Sequence, residues 1–142
     1  MLPFILFAMS TIINANTEQL LQSIQSVLIE KEISIARFTD KTIESKIIDL
    51  PVCELNHYII ENFPDENPGW TNARYHLVIE IREFDNTKSE LSVNAVFERY
   101  GVPNAYLLIP EEWVIVPSNG SMEKQIIDAI TQKIQNQNGG EK

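Results

Sequence analysis

An α+β fold, with two layers and a mainly antiparallel sheet, follows from three features of this sequence. There is a long alternating hairpin over about residues 73–84 and 89–100, an amphipathic helix before it, and another at the C-terminal end. In the first arm Ala73, Tyr75, Leu77, Ile79 and Ile81 alternate with Arg74, His76, Val78, Glu80 and Arg82. In the second, Leu91, Val93, Ala95 and Phe97 alternate with Ser92, Asn94, Val96 and Glu98. A period of two turns one face of each strand to a core and the other to water. A sheet of four to six strands with the first and last helices on its apolar face is the expected architecture.

The register of the hairpin can be derived. Apolar side chains must meet apolar side chains, which pairs Ile81 with Leu91, Ile79 with Val93, Leu77 with Ala95 and Tyr75 with Phe97. The same register sets Arg82 opposite Glu90 and Arg74 opposite Glu98. Opposite charges facing across a pair contribute roughly 0.2–1 kcal/mol each. Asp85, Asn86 and Thr87 are left as the loop, closed by Phe84 and Lys88, with Asn86 expected to take the left-handed backbone.

The remaining elements follow in chain order. Residues 1–15 (MLPFILFAMSTIINA) are apolar and uncharged and end in Ile-Asn-Ala, as a secretory signal would, although no Lys or Arg precedes the apolar run. The alternatives are a buried N-terminal strand and a start placed inside a longer signal. Asn16 with Gln19 has the spacing of a capping box, and Leu20, Leu21, Ile24, Val27, Leu28 and Lys31 make a helical stripe over Asn16 to Glu32. Ile33 to Phe38 and Thr42 to Ile48 read as strands around Thr39-Asp40-Lys41. Val52, Leu55, Tyr58, Ile59 and Phe63 predict a second helix over Pro51 to Asn62, on which Cys53 is expected to be buried. Two prolines and a glycine end it. After the hairpin come an apolar run, Ala105 to Ile109, and a short strand, Trp113 to Val116. Met122, Ile126, Ile127, Ile130 and Ile134 stripe the last helix, with 16–136 as one domain and 137–142 as a flexible tail.

Composition removes several function classes. Among 142 residues there are 11 Lys+Arg and 20 Asp+Glu, a net charge of −9, with no basic stripe for a phosphate backbone. The same charge opposes an anionic lipid surface. A single cysteine, Cys53, excludes an internal disulfide. The apolar start is shorter than the roughly 20 residues of a membrane span.

The search for chemistry finds little that converges. His57 and His76 are the only histidines, and neither accompanies a nucleophile elbow. Asp65, Glu66 and Asn67 lack the spacing of a calcium loop, and no phosphate-binding glycine loop is present. Glu80, Glu83, Glu98, Glu111 and Glu112 offer carboxylates, of which a hydrolase needs two. Asn119-Gly120-Ser121 matches a glycosylation acceptor by letter and reads better as a helix start. Catalytic residues, metal ligands and cofactors are therefore not assigned. Trp70 and Trp113 either anchor a partner or fill space beside the sheet, and for Trp113 burial under the returning last helix is the expectation.

The ending Trp113-Val114-Ile115-Val116-Pro117-Ser118-Asn119-Gly120-Ser121-Met122-Glu123, running into an Ile-rich helix, resembles the close of BamC-like, helix-grip bacterial envelope domains. The resemblance covers the last half of the chain. It implies a terminal helix lying across an antiparallel sheet, in an envelope protein that binds or scaffolds other proteins. The chain departs from that class in lacking a lipobox cysteine. The functional expectation is a non-catalytic exported module that binds a protein partner, with Trp70, Tyr106 and Trp113 as binding residues. A small apolar ligand held between sheet and helix, lined by Trp70 and Tyr106, is the alternative, and a carboxylate-dependent hydrolase ranks last. If residues 1–15 belong to the fold, the cytoplasm is the alternative compartment. Edge strands allow a dimer and no residue requires one.

Overall fold

The computed structural model describes residues 8–60, 69–102 and 110–139. Its centre is the hairpin of β5 (Gly69–Glu83) and β6 (Ser89–Val102). Ile81 faces Leu91, Ile79 faces Val93, Leu77 faces Ala95 and Tyr75 faces Phe97, with Arg82 opposite Glu90 and Arg74 opposite Glu98, as the alternation requires. The loop closes through Phe84 N–H to Lys88 O. Asn86 does not take a left-handed backbone. Instead Asp85 Oδ1 accepts the Thr87 hydroxyl, the Thr87 N–H and the Lys88 N–H at 2.7, 2.7 and 2.9 Å. A side chain that pins two successive amides makes the reversal without positive φ.

Around this hairpin the described residues form seven strands, all paired antiparallel. β1 (Ala8–Ile13) and β7 (Glu112–Val116) share the outer edge of β6, β1 at its start and β7 at its end. β3 (Thr42–Ser45) and β4 (Ile48–Leu50) share the outer edge of β5, and β2 (Ile35–Phe38) pairs with β3. Seven strands exceed the four to six expected because the stretch read as one strand over Thr42 to Ile48 breaks after Ser45, and because β1 joins the sheet.

That first strand falls within the stretch read as a secretory signal. Met9, Thr11 and Ile13 stand opposite Val93, Leu91 and Ser89. Ile13 and Ala15 are buried in the core, and Ala15 O accepts the buried Ser89 hydroxyl at 2.8 Å.

Helix α1 (Thr17–Glu30) starts from the predicted capping box: Asn16 Oδ1 accepts the Gln19 N–H and Gln19 Oε1 accepts the Asn16 N–H. It ends with Ile33 N–H on Leu28 O and Glu32 N–H on Ile29 O, Glu32 taking a φ of 59° where glycine is usual. Helix α3 (Ser121–Gly139) outlasts the boundary expected at 136, supported by a Gln132–Asn136 side-chain hydrogen bond one turn apart. These two helices pack on each other and on one face of the sheet, α1 over β5 and α3 over β6 and β1. Leu20, Ile24 and Leu28 of α1 and Ile126 and Ile130 of α3 are fully enclosed against Leu77, Ile79, Leu91, Val93 and Phe97. Lys133 of α3 also pairs with Glu30 of α1.

The second helix is far shorter than Pro51 to Asn62. α2 is Val52–Leu55, without a side-chain cap, and its chain leaves through three-residue bonds from His57 N–H to Glu54 O and Tyr58 N–H to Leu55 O. Ile60 N–H then donates to Pro117 O, and Asn119 N–H to Tyr58 O, so strand-like partners replace further helix. Only Leu55 of the short turn is buried, which leaves Cys53 exposed, against expectation.

Both outer edges of the hairpin are interrupted at one level, and a side chain bridges each break. β3 pairs with residues 78–80 and β4 with residues 73–75, and in the gap Ser45 Oγ accepts the Leu77 N–H at 2.8 Å. On the other side the β1 ladder ends at Asn94 and that of β7 begins at Phe97. There Glu123, wholly buried in the first turn of α3, accepts the Ala95 N–H at 3.2 Å and the Ser118 hydroxyl at 2.7 Å. Leu77 and Ala95 are direct partners across the hairpin. Their N–H groups both point outward, which makes the odd-numbered pairs the non-hydrogen-bonded ones.

The hydrogen bonds to Asp85 hold its carboxyl below the ordinary 3.8, the Thr87 hydroxyl first and then the two amides. A carboxyl depressed in the folded state stabilises above its unfolded pKa, and the benefit is lost as pH falls through the folded value. Asp85→Ala is therefore expected to lower the urea midpoint at about pH 7, with a gap to the parent that narrows as the pH falls below about 4. A gap independent of pH would contradict the role given to this carboxylate.

Candidate functional site

Among the described residues α1 and α3 cover one face of the sheet, and no helix lies over the other. At the open end of the hairpin this helix-free face carries an aromatic and charged cluster. Arg74 of β5 stands opposite Glu98 of β6, and Arg74 Nε donates to Glu98 Oε1 at 3.1 Å with both side chains largely covered. Beyond Glu98 the next residue on that face of β6 is Tyr100, which stands opposite Trp113 of β7. The Tyr100 and Trp113 rings lie 5.2 Å apart at 52°, and the Arg74 guanidinium lies 3.6 Å from the Trp113 ring centre. Asp49 of β4 faces Arg74, Ile115 of β7 faces Glu98, and His76 faces Val96, so four strands contribute to one surface.

Each member is placed by backbone register. Trp113 shares its face with Tyr100, whereas Val116, three residues on, faces Phe97 and enters the core. Trp113 is thus turned away from the last helix, contrary to the expectation that α3 buries it. An odd number of strand steps separates Trp113 from Val116, so the two must point to opposite faces. Arginine stacks flat on the indole while its edge N–H groups remain free for a carboxylate, a combination that lysine cannot reproduce.

Trp70 sits at the same end of the hairpin but on the other face. It pairs with Gly101 across a bulge between Trp70 and Asn72, and the Arg99 guanidinium lies 4.2 Å from its ring centre. The close approach depends on glycine: a Cβ at Gly101, whose φ is 141°, would stand 2.1 Å from Gly69 O. Trp70 and Trp113 are therefore both half-buried under an arginine, from the adjacent strand β6 for Trp70 and from β5, across β6, for Trp113, and they do not form one site. Tyr106, the third residue expected to bind, lies outside the described residues.

The other residues considered from sequence are dispersed. His57 is exposed after α2 and His76 is half-buried on the helix-free face. Glu83 accepts the Thr17 N–H at 3.2 Å, Glu98 is held by Arg74, and Glu80, Glu111 and Glu112 are exposed. Among the described residues no three His, Cys, Asp or Glu side chains gather as metal ligands. Asn119 serves the start of α3, its Oδ1 accepting the Ser121 N–H and its Nδ2 donating to His57 O. Among the described residues no helix is long and apolar enough to cross a membrane.

No protein-family model and no curated protein matches the chain. Among solved structures it is similar to a conserved protein from Geobacillus kaustophilus, at 13% identity over 92% of each chain and a TM-score of 0.40.

Removing the arginine should expose the energetics of the cluster. Arg74→Ala is expected to cost about 1–3 kcal/mol, from the lost stacking and the uncompensated Glu98, and to change the tryptophan emission. Arg74→Lys keeps the charge and should recover only a minor part in urea unfolding. Full recovery by lysine would contradict a requirement for the planar guanidinium between Glu98 and Trp113.

Proposed function

We propose that this chain is a non-catalytic protein-binding module whose recognition surface is the helix-free face around Trp113, Tyr100 and Arg74. The observation that carries the reading is this half-buried cluster, already organised by cross-strand pairing on a face that α1 and α3 do not cover. Tryptophan, tyrosine and arginine are enriched among the side chains that dominate protein interfaces, and the two aromatic residues bury a large area at small cost in conformational entropy. The satisfied Arg74–Glu98 pair brings no unpaired charge to such an interface.

A carrier of small apolar ligands would need the space between sheet and helices. Leu20, Ile24, Leu28, Phe97, Ile126 and Ile130 fill that layer among the described residues. A hydrolase would need two converging carboxylates, and the glutamates considered for it have the separate placements given above.

Export accompanies this reading as a proposal that rests on the apolar, uncharged composition of residues 1–15. Removal of that stretch would take away β1 together with buried Ile13 and Ala15, so the pairing of β1 favours a form that keeps it.

A photo-crosslinking residue at Ile115, on the proposed surface, should yield a discrete heavier adduct in the native host. The same residue at exposed Gln125 on α3 should not. Trp113→Ala should abolish the Ile115 adduct. Equal adducts from both positions, or none from either, would defeat the reading. Intact mass of the same product decides the N-terminus: loss of residues 1–15 supports processing on export, and a full-length mass supports retention of β1.

A further inference from the structure

The two edges of the sheet differ in how they are protected. β2, at one end, is four residues long, carries Arg37 and is irregular between Ile35 and Arg37. Charge, shortness and a bulge are the usual guards against edge-to-edge pairing. β1, at the other end, has none of these: it is six residues long, regular in register, and reads AMSTII without a charge or a proline. Its Ile12 side chain is 60% exposed on the helix-free face. We propose that β1 is the site at which two copies of this chain pair, edge to edge, into a symmetric dimer. The proposal requires that residues 8–13 be retained.

The hydrogen-bond pattern shows which groups are offered. Leu77 and Ala95 send their N–H groups away from each other, so odd-numbered residues of β6 bond outward to β1. Leu91 and Val93 therefore exchange bonds with Thr11 and Met9. Ser10 and Ile12, between them, turn their backbone N–H and C=O groups to the free edge. No other described strand pairs with β1.

A two-fold axis at Thr11 satisfies these groups reciprocally, with Ser10 of one copy against Ile12 of the other. On the helix-free face each Ile12 is then covered by the opposing Ser10. On the opposite face the two threonines meet as a favourable cross-strand pair. Met9 of one copy comes opposite Ile13 of the other, beside a recess of about 460 Å³ formed by Thr11 and Ile13 with Thr131, Ile134 and Gln135 of α3. Charge selects a second copy over another partner. Two chains of net charge −9 repel wherever their carboxylates face, and neither β1 nor the α3 flank of the recess carries one. A basic partner drawn to the acidic surface would find no carboxylate here to pair with.

Sedimentation of the full-length chain, its intact mass verified, tests the pairing. The expected result is a species of twice the chain mass that Ile12→Lys converts to the monomer while the circular dichroism spectrum is unchanged. Lysine there projects from the side away from the core, and it is the common guard of natural edges. If Ile12→Lys fails to fold, amide exchange in the unmodified chain decides: Ser10 and Ile12 should exchange at least tenfold more slowly in concentrated than in dilute solution. A monomer at every concentration, a dimer indifferent to Ile12→Lys, or exchange at Ser10 and Ile12 independent of concentration would overturn the proposal.

Discussion

The pairing of Leu77 with Ala95 is the constraint on which the rest of the molecule depends. It sets the parity of β5 and β6, and parity decides which side chains enter the core and which remain on the helix-free face. A slip of β5 by one residue would put Arg74 and Glu80 under the helices and send Leu77 and Ile79 to the other face. At this same level neither arm has a continuous neighbour among the described residues, and two buried amides would be left without acceptors. An orphaned buried N–H costs about 1–3 kcal/mol, so side chains have to supply what strands do not. Ser45 does so from the end of β3, and Glu123 does so from the first turn of α3. Glu123 thereby ties the helix layer to the sheet at a level where β6 has no outer strand among the described residues.

That architecture separates packing from surface chemistry. Branched aliphatic side chains and Phe97 fill the layer under α1 and α3, while the opposite face has room for paired charges and aromatic rings. Arginine joins the two kinds of group. Arg74 binds Glu98 along its edge and Trp113 across its plane, and Arg99 lies over Trp70 on the other face. In both places a tryptophan near the open end of the hairpin lies under a guanidinium, from β6 for Trp70 and from β5, across β6, for Trp113.

Local rules made much of this legible. The hairpin register, the Asn16 capping box and the apolar stripe of α3 each follow from a short pattern with one physical solution, and each appears as derived. Where a choice depended on distant partners, the sequence was ambiguous. Pro51 to Asn62 has helical spacing, but residues 58–60 find backbone partners at 117–119 that no local pattern announces. The apolar start suits a signal and equally suits a strand that packs on the core, because both are built from apolar residues. Arg74 and Glu98 were recognisable as a cross-strand pair. Their link to Trp113 and Tyr100 was not, since it needs the register of β7, and five residues cannot specify that alone. Asn86 failed as the turn residue because Asp85 offered the loop a better acceptor.

Amide hydrogen exchange at Leu77 and Ala95 is the most direct measure of the bridged hairpin. Both amides should be protected as strongly as those of Ile79 and Val93, and Glu123→Ala should release Ala95 by at least an order of magnitude while leaving Leu77 protected. Exchange at Leu77 and Ala95 as fast as in the Asp85–Thr87 loop would contradict the central role given to Ser45 and Glu123. Protection of Ala95 that survives Glu123→Ala would contradict it as well.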